Sequence, residues 1–207
     1  MPAQTCTASL THSLMHIRPA QLADIEALCV LDHSYVTDQV WQLAGKDTPS
    51  EYVAQFRLSR LPRQIRVPFA HDARGLRRTL HRCDYVWVMQ GDDGDNQILP
   101  GSVSFANGQL GILGYIGMAS VPWQQTGWLP ALGVTPGWRR KGIGSQLLRA
   151  AMAQAKTDGL HSVTLDVQTK NYAATRLCQS RGFRFAGYSD NFYSTHDIAL
   201  FFAYRIR

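Results

Sequence analysis

Apolar and polar positions alternate along this chain with two different periods. Leu22, Ile25, Leu28, Cys29 and Leu31 recur at helical spacing, which predicts an amphipathic helix over roughly 21–33. A short strand precedes it, His16-Ile17-Arg18-Pro19, stopped by its proline. Asp47-Thr48-Pro49-Ser50-Glu51 supplies cap-type residues with an early proline. Tyr52, Val53 and Phe56 then lie on one side of a second helix expected at about 49–59. Leu61 to Arg82 has no clear period and contains Pro62 and Pro68, so loop, strand and helix fragments are expected there.

From Tyr85 the pattern is that of strands. Tyr85-Val86-Trp87-Val88-Met89 is aromatic and β-branched, and Gly91 to Asn96 reads as a turn. Further strands are expected at Ile98–Phe105, Leu110–Met118 and Trp128–Val134. The period then changes. Ile143, Leu147, Leu148, Ala151 and Ala155 share one face of a helix at about 142–157, ended by Gly159. His161–Val167 reads as a buried strand, Asn171–Arg181 as a helix stopped by Gly182, and Phe183–Tyr188 and Ile198–Ile206 as the last strands. These elements fit one α+β domain with a mixed sheet over 15–207, behind a loose Ser/Thr-rich tail, Met1–Leu14.

Composition narrows the class. With 207 residues, 45% hydrophobic and 17% charged, the chain suits one globular domain. No apolar stretch approaches the ~20 residues of a membrane helix, and the first residues lack the apolar block of a secretory signal. A cytoplasmic protein is expected. Cys6, Cys29, Cys83 and Cys178 are far apart, which argues against a disulfide framework, and the seven histidines form no zinc-type cluster. The net charge of +6 favours anionic partners without choosing among them.

One stretch carries chemistry: Val134-Thr-Pro-Gly-Trp-Arg139-Arg140-Lys141-Gly142-Ile143-Gly144-Ser145. A strand ends, a turn follows, and a helix begins at two glycines. Free amides of a helix start, its dipole and three cations make a cradle for a pyrophosphate. A P-loop would need Lys before Ser145, where Gly144 stands; a dinucleotide fingerprint would need a third glycine, where Leu147 stands.

Arg139-x-x-Gly142-x-Gly144 after Leu132-Gly133-Val134 resembles the acetyl-CoA motif of the GNAT acetyltransferase superfamily. Asn171-x-x-Ala174-x-x-Leu177-Cys178-x-x-x-Gly182-Phe183 is similar to its next motif, and Ile17-Arg18-Pro19-Ala20 with Asp24 to many of its N-termini. Leu165-Asp166-Val167-Gln168-Thr169-Lys170-Asn171, and the stretch from Gly187 to Phe202, look like the streptothricin acetyltransferase subgroup. The resemblance implies an α+β, three-layer fold whose mixed, mostly antiparallel sheet splays between two parallel strands and is flanked by helices. It implies acetyl-CoA as donor, held by Leu132, Gly133, Val134, Arg139, Arg140, Lys141, Gly142, Ile143, Gly144, Ser145, Asn171, Ala174 and Cys178. The Val134 N–H would polarise the thioester carbonyl, an effect typically worth ~10²–10³ in rate.

Two positions depart from the family pattern. Pro130 and Ala131 stand where an acidic residue is common, and Cys178 replaces the tyrosine that serves as general acid. Cys178 either takes over that role or is inert packing. Asp166 and Tyr188 are further catalytic candidates, with Tyr172, Tyr193 and Asp190 near the same end. Asp32 to Asp38, polar and aromatic, suits a cationic amine acceptor. The leading expectation is an N-acetyltransferase acting on a primary amine of a small molecule. A protein or peptide N-terminal acetyltransferase and a non-catalytic acyl-CoA-binding module are the alternatives. The arginines between 57 and 82 lack the interleaved aromatics of a nucleic-acid platform, so nucleic acid is disfavoured. A homodimer is compatible with the sequence, and no membrane partner is expected.

Overall fold

A computed structural model describes residues 15–68, 72–91 and 111–206. The tail expected at Met1–Leu14 and the strand expected at Ile98–Phe105 lie outside the described residues. A seven-stranded sheet runs in the order β1-β4-β5-β6-β7-β9-β8. Its strands are β1 (Met15–Pro19), β4 (Tyr85–Gly91), β5 (Gly111–Val121), β6 (Thr126–Val134), β7 (Ser162–Gln168), β8 (Arg184–Ser189) and β9 (Ala199–Arg205). All neighbours are antiparallel except β6 and β7.

Helices cover both faces, giving three layers. On one side lie α1 (Leu22–Val30) and α2 (Ala73–His81), where Ile25, Leu28, Leu76 and Leu80 pack on Val88, Ile112, Tyr115 and Ala131. On the other lie α3 (Ile143–Thr157) and α4 (Tyr172–Ser180), where Ile143, Leu147, Leu148, Ala151 and Cys178 pack on Leu129, Val163, Leu165 and Val167. Alternation along each strand sends successive side chains to opposite layers. The start of α1 is anchored by Asp24, fully buried, whose carboxylate accepts from Gln21 N at 2.6 Å and from Arg18 Nη1 and Nη2 at 2.5 and 3.0 Å. At the start of α2, Asp72 Oδ1 accepts from Gly75 N at 2.6 Å.

The helix expected at about 49–59 is a strand instead. Between α1 and α2 the chain forms a two-stranded hairpin, β2 (Tyr35–Thr48) and β3 (Glu51–Val67). Pro49-Ser50, read as a helix cap, is its two-residue turn, flanked by the rung Thr48↔Glu51. The apparent helical spacing of Tyr52, Val53 and Phe56 has no burial behind it: Tyr52 and Val53 are exposed, and only Phe56 packs, against Phe185 and Tyr188 at 5.7 and 5.2 Å between ring centroids. Pro62 falls where the β2–β3 register jumps between Thr37 and Gln39, a position at which no ladder N–H is needed.

Candidate active site

Parallel pairing of β6 with β7 runs from Thr126↔Ser162 to Leu129↔Leu165 and stops there. The next residue is Pro130, which has no N–H to give a neighbouring strand. Pro130 also sits in a bulge of the β5–β6 ladder, where Leu129 and Pro130 together stand opposite Met118. A bulge bends its strand and ends regular pairing. Beyond it the two parallel strands splay apart.

The ladders determine which groups line the gap. Thr135 N donates to Leu113 O at 2.9 Å, so that rung is hydrogen-bonded and the next one, Val134↔Gly114, is not. The main chain of Val134 and of Leu132 therefore points away from β5, into the gap, while that of Gly133 faces β5. On the opposite lip Thr169 N donates to Ile198 O at 3.2 Å, which by the same alternation turns the main chain of Asp166 and Gln168 toward β6. Gly133 has a separate reason to be glycine: a Cβ there would stand 2.4 Å from Tyr115 Cε1 and 3.2 Å from His33 Cδ2.

At the end of β6 the chain turns through Pro136–Trp138 and enters α3. Arg140 and Gly142 both take left-handed backbone angles, φ +66° and +86°. Gln146 N donates to Gly142 O at 3.1 Å, so the amides of Ile143, Gly144 and Ser145 precede the first bond inside the helix. Arg140 and Lys141 are exposed beside them, and Lys141 Nζ stands 4.0 Å over the Trp138 ring. A Cβ on Gly144 would meet Leu177 Cδ2 at 3.1 Å, so the helix start lies tight against α4. Outward amides, two exposed cations and a glycine-lined approach fit the pyrophosphate of coenzyme A.

The layer opposite α3 and α4 carries a polar cluster beside the gap. Asp166, the first β7 residue beyond the last parallel rung, accepts from Trp128 Nε1 at 3.2 Å and from Tyr193 Oη at 2.7 Å. Tyr35 Oη donates to Gln168 Oε1 at 3.0 Å, and Gln168 Nε2 donates to Asp197 Oδ2 at 3.0 Å. Burial pushes Asp197 up, but hydrogen bonds from Lys170 and Thr195 outweigh it and hold the carboxyl below its usual range. Burial, reinforced by the charge of Asp166, keeps the Tyr193 phenol protonated far above neutral pH. On the β6 side His33 Nε2 lies 2.8 Å from Tyr115 Oη, and burial lowers the imidazole to about 4, so it is neutral at physiological pH.

The sequence profile of the acetyltransferase (GNAT) family matches residues 71–183, more than half of the chain. The chain belongs to this family. Solved structures share its fold. Nourseothricin acetyltransferase superposes with a TM-score of 0.74 at 21% identity, covering 93% of this chain and 99% of that one. A Bacillus anthracis str. Ames protein named as a candidate streptothricin acetyltransferase, in complex with acetyl coenzyme A, gives 0.66 at 15% identity, covering 93% and 100%. The ribosomal-protein-S18-alanine N-acetyltransferase of Escherichia coli gives 0.58 at 16% identity, covering 93% and 94%. No curated protein matches the sequence. The GNAT chain is an acetyltransferase and takes acetyl-CoA as its donor.

For three residues of this GNAT protein the surroundings bear on the sequence expectations. Cys178 does share the inner face of α4, but it is only 2% exposed, within the main core, and burial pushes its thiol up to about 12. This burial favours the packing alternative for Cys178 over contact with acetyl-CoA. Tyr188 lies on β8, separated from β7 by β9, and its ring packs edge-on against Phe56. Two strand spacings put it roughly 10 Å from the lip of the gap. Arg139 does not belong with its two basic neighbours: its guanidinium is engaged with main-chain carbonyls of Val134, Ser34 and Asp32.

Asn171 is the N-cap of α4, its Oδ1 accepting from Ala174 N at 3.1 Å, and Ala174 packs at the edge of the core. Asp190 caps its own turn by accepting from Asn191 N. Gln168, Trp128 and Tyr115 were not singled out by spacing, because the groups that meet around the gap come from five separated segments. The polar segment Asp32–Asp38 and the candidates Asp166 and Tyr193 signalled part of this cluster.

Proposed function

We propose that the protein is an acetyl-CoA-dependent N-acetyltransferase that acetylates a primary amine of a small molecule. The observation that carries this reading is Asp166, a carboxylate at the mouth of the splay on the layer opposite the cofactor helix. An ammonium group is attracted to such a carboxylate and must lose its proton there before it can attack. When bound, acetyl-CoA supplies a thioester carbonyl open to a neutral amine. The protein's own contributions are then assignable. The amides of Ile143, Gly144 and Ser145, with Arg140 and Lys141, would hold the pyrophosphate. Leu132 would offer its main chain and Val134 its N–H to the pantetheine arm, where that N–H would polarise a carbonyl oxygen, an effect of ~10²–10³ in rate. Asp166, oriented by Trp128 and Tyr193, positions the amine and draws its proton toward solvent.

The size of the acceptor follows from the hairpin. Trp41 N donates to Thr169 O at 3.0 Å, Trp41 Nε1 to Thr175 Oγ1 at 3.3 Å, and Phe56 packs on β8. These contacts dock β2–β3 across the ends of β7 and β8, which supports a confined acceptor rather than an extended peptide. The names of two structural neighbours, nourseothricin and streptothricin acetyltransferases, support an amine-bearing antibiotic or a compound like it. The test is acetyl-CoA-dependent thiol release with streptothricin, lysine-like amines and N-terminal peptides as acceptors. Turnover is expected with the small amines, and Asp166→Asn is expected to lower their kcat/KM by ~10²-fold. Turnover confined to the peptides would reject the small-molecule reading.

A further inference from the structure

The first basic residue of the cofactor motif holds the acceptor side of the protein. Arg139 Nε donates to Val134 O at 3.0 Å, Nη1 to Ser34 O at 2.7 Å and Nη2 to Asp32 O at 2.9 Å. One of these carbonyls ends β6 at the lip of the gap. The other two bracket His33. From the segment so gripped, two side chains reach opposite sides of the splay. His33 meets Tyr115 of β5 at 2.8 Å and lies against Gly133 of β6, while Tyr35 meets Gln168 of β7 at 3.0 Å. Residues 32–35 thus form a strap across the open end of the sheet, and Arg139 is the buckle between that strap and the strand facing the thioester. The strap also walls a cavity of about 250 Å³ together with Pro68, Asp72 and Leu76.

We infer that Arg139 is a positioning residue for the acceptor, acting through the Asp32–Tyr35 strap, and not a ligand of the cofactor's phosphates. Its planar fork suits three carbonyls in fixed directions; a lysine keeps the charge, but its single nitrogen on a flexible stem cannot reproduce the fork. The strap sets where His33 and Tyr35 stand relative to the lips of the gap. Loosening it therefore changes how the amine is held more than how acetyl-CoA is held.

This inference rests on the acetyltransferase reading for its kinetic arm only. Arg139→Lys and Arg139→Ala are compared with Arg140→Ala, whose side chain is exposed at the cofactor turn. In Arg139→Lys, acetyl-CoA affinity by calorimetry is expected to stay within about threefold of the parent. Amide hydrogen exchange at residues 32–36 is expected to speed up by about tenfold or more, and the amine's KM to rise by a similar factor with a smaller change in kcat. Arg140→Ala is expected to show the reverse, weaker acetyl-CoA and an unchanged strap. Acetyl-CoA affinity lost in Arg139→Lys to the same extent as in Arg140→Ala would overturn the inference, as would unaltered exchange at 32–36. If the parent protein acetylates no amine, the proposed function fails, and exchange with calorimetry still decides the role of Arg139.

Discussion

Gly142 and Gly144 look equivalent in the motif but are glycine for different reasons. Gly142 has open space around a notional Cβ and is favoured by its φ of +86°, whereas a Cβ on Gly144 would press on Leu177. Either residue changed to Glu would also place a carboxylate at the amides meant for phosphate. Both variants are expected to weaken acetyl-CoA by at least ~10²-fold in calorimetry. Cys178 illustrates the limit of a spacing argument. Its distance from Asn171 correctly put it on the inner face of α4, but a face that points inward can be buried beneath the site rather than exposed to it. Cys178→Ala is expected to leave turnover within about threefold while costing about 1 kcal/mol of stability in chemical denaturation. His33 carries a pH signature. Its folded pKa, depressed to about 4 from 6.5, means that the unfolded chain binds the proton first as pH falls. The stabilisation is present above pH 6.5 and is lost toward pH 4, by about 3 kcal/mol. His33→Gln should flatten that part of a urea-denaturation series run across pH.

Among the elements, those of the second half were legible because each carries its own signals. The α3 period, the Gly159 and Gly182 stops and the β-branched run of β7 agree with one another, and from β6 onward the observed strand and α-helix bounds fall within one or two residues of the expected ones. The hairpin was misread for the opposite reason. Most of β3 is exposed on both faces, so no alternation of apolar and polar residues marks it as a strand, and Pro-Ser serves a turn as well as a cap. What holds it is Phe56 against Phe185 and Tyr188, together with Trp41 against α4, contacts between segments more than a hundred residues apart. Phe56→Ala is therefore expected to weaken docking of the arm by about 1–2 kcal/mol. Limited proteolysis would show faster cutting within 35–67, with little change in the main thermal transition. An equal loss across the whole molecule would mean that the arm is integral to the core.

At the level of the whole molecule, the sheet is built with a defect at its centre. The main chain of Leu132, the Val134 N–H and the main chain of Gln168 lie along the gap, beyond the last rung at which the two strands pair. Unpaired main-chain groups in a folded sheet are costly unless something satisfies them, and here a linear amide-bearing ligand can add itself between the lips. Acetyl-CoA should therefore raise the melting temperature in a concentration-dependent way, with about 2.7 kcal/mol of added stability at a hundredfold excess over Kd. Absence of any shift at saturating acetyl-CoA, in a protein shown by calorimetry to bind it, would contradict this picture of the gap.

The candidate anion cradle is legible in the sequence alone: a strand, a glycine and a helix start flanked by cations can be read in order along the chain, because they are consecutive residues. The match of two motifs at matched spacing pointed to the family for the same reason. The polar cluster beside the gap is assembled from Asp32–Tyr35, Tyr115, Trp128, Asp166–Gln168 and Tyr193, which are adjacent only after the sheet closes. The partner of Arg139 was hidden in the same way. Its place in the motif suggested phosphate, and only the folded chain brings the carbonyls of Asp32 and Ser34 to its guanidinium. Hydrogen bonds between residues about a hundred positions apart leave no spacing in the sequence from which they can be read.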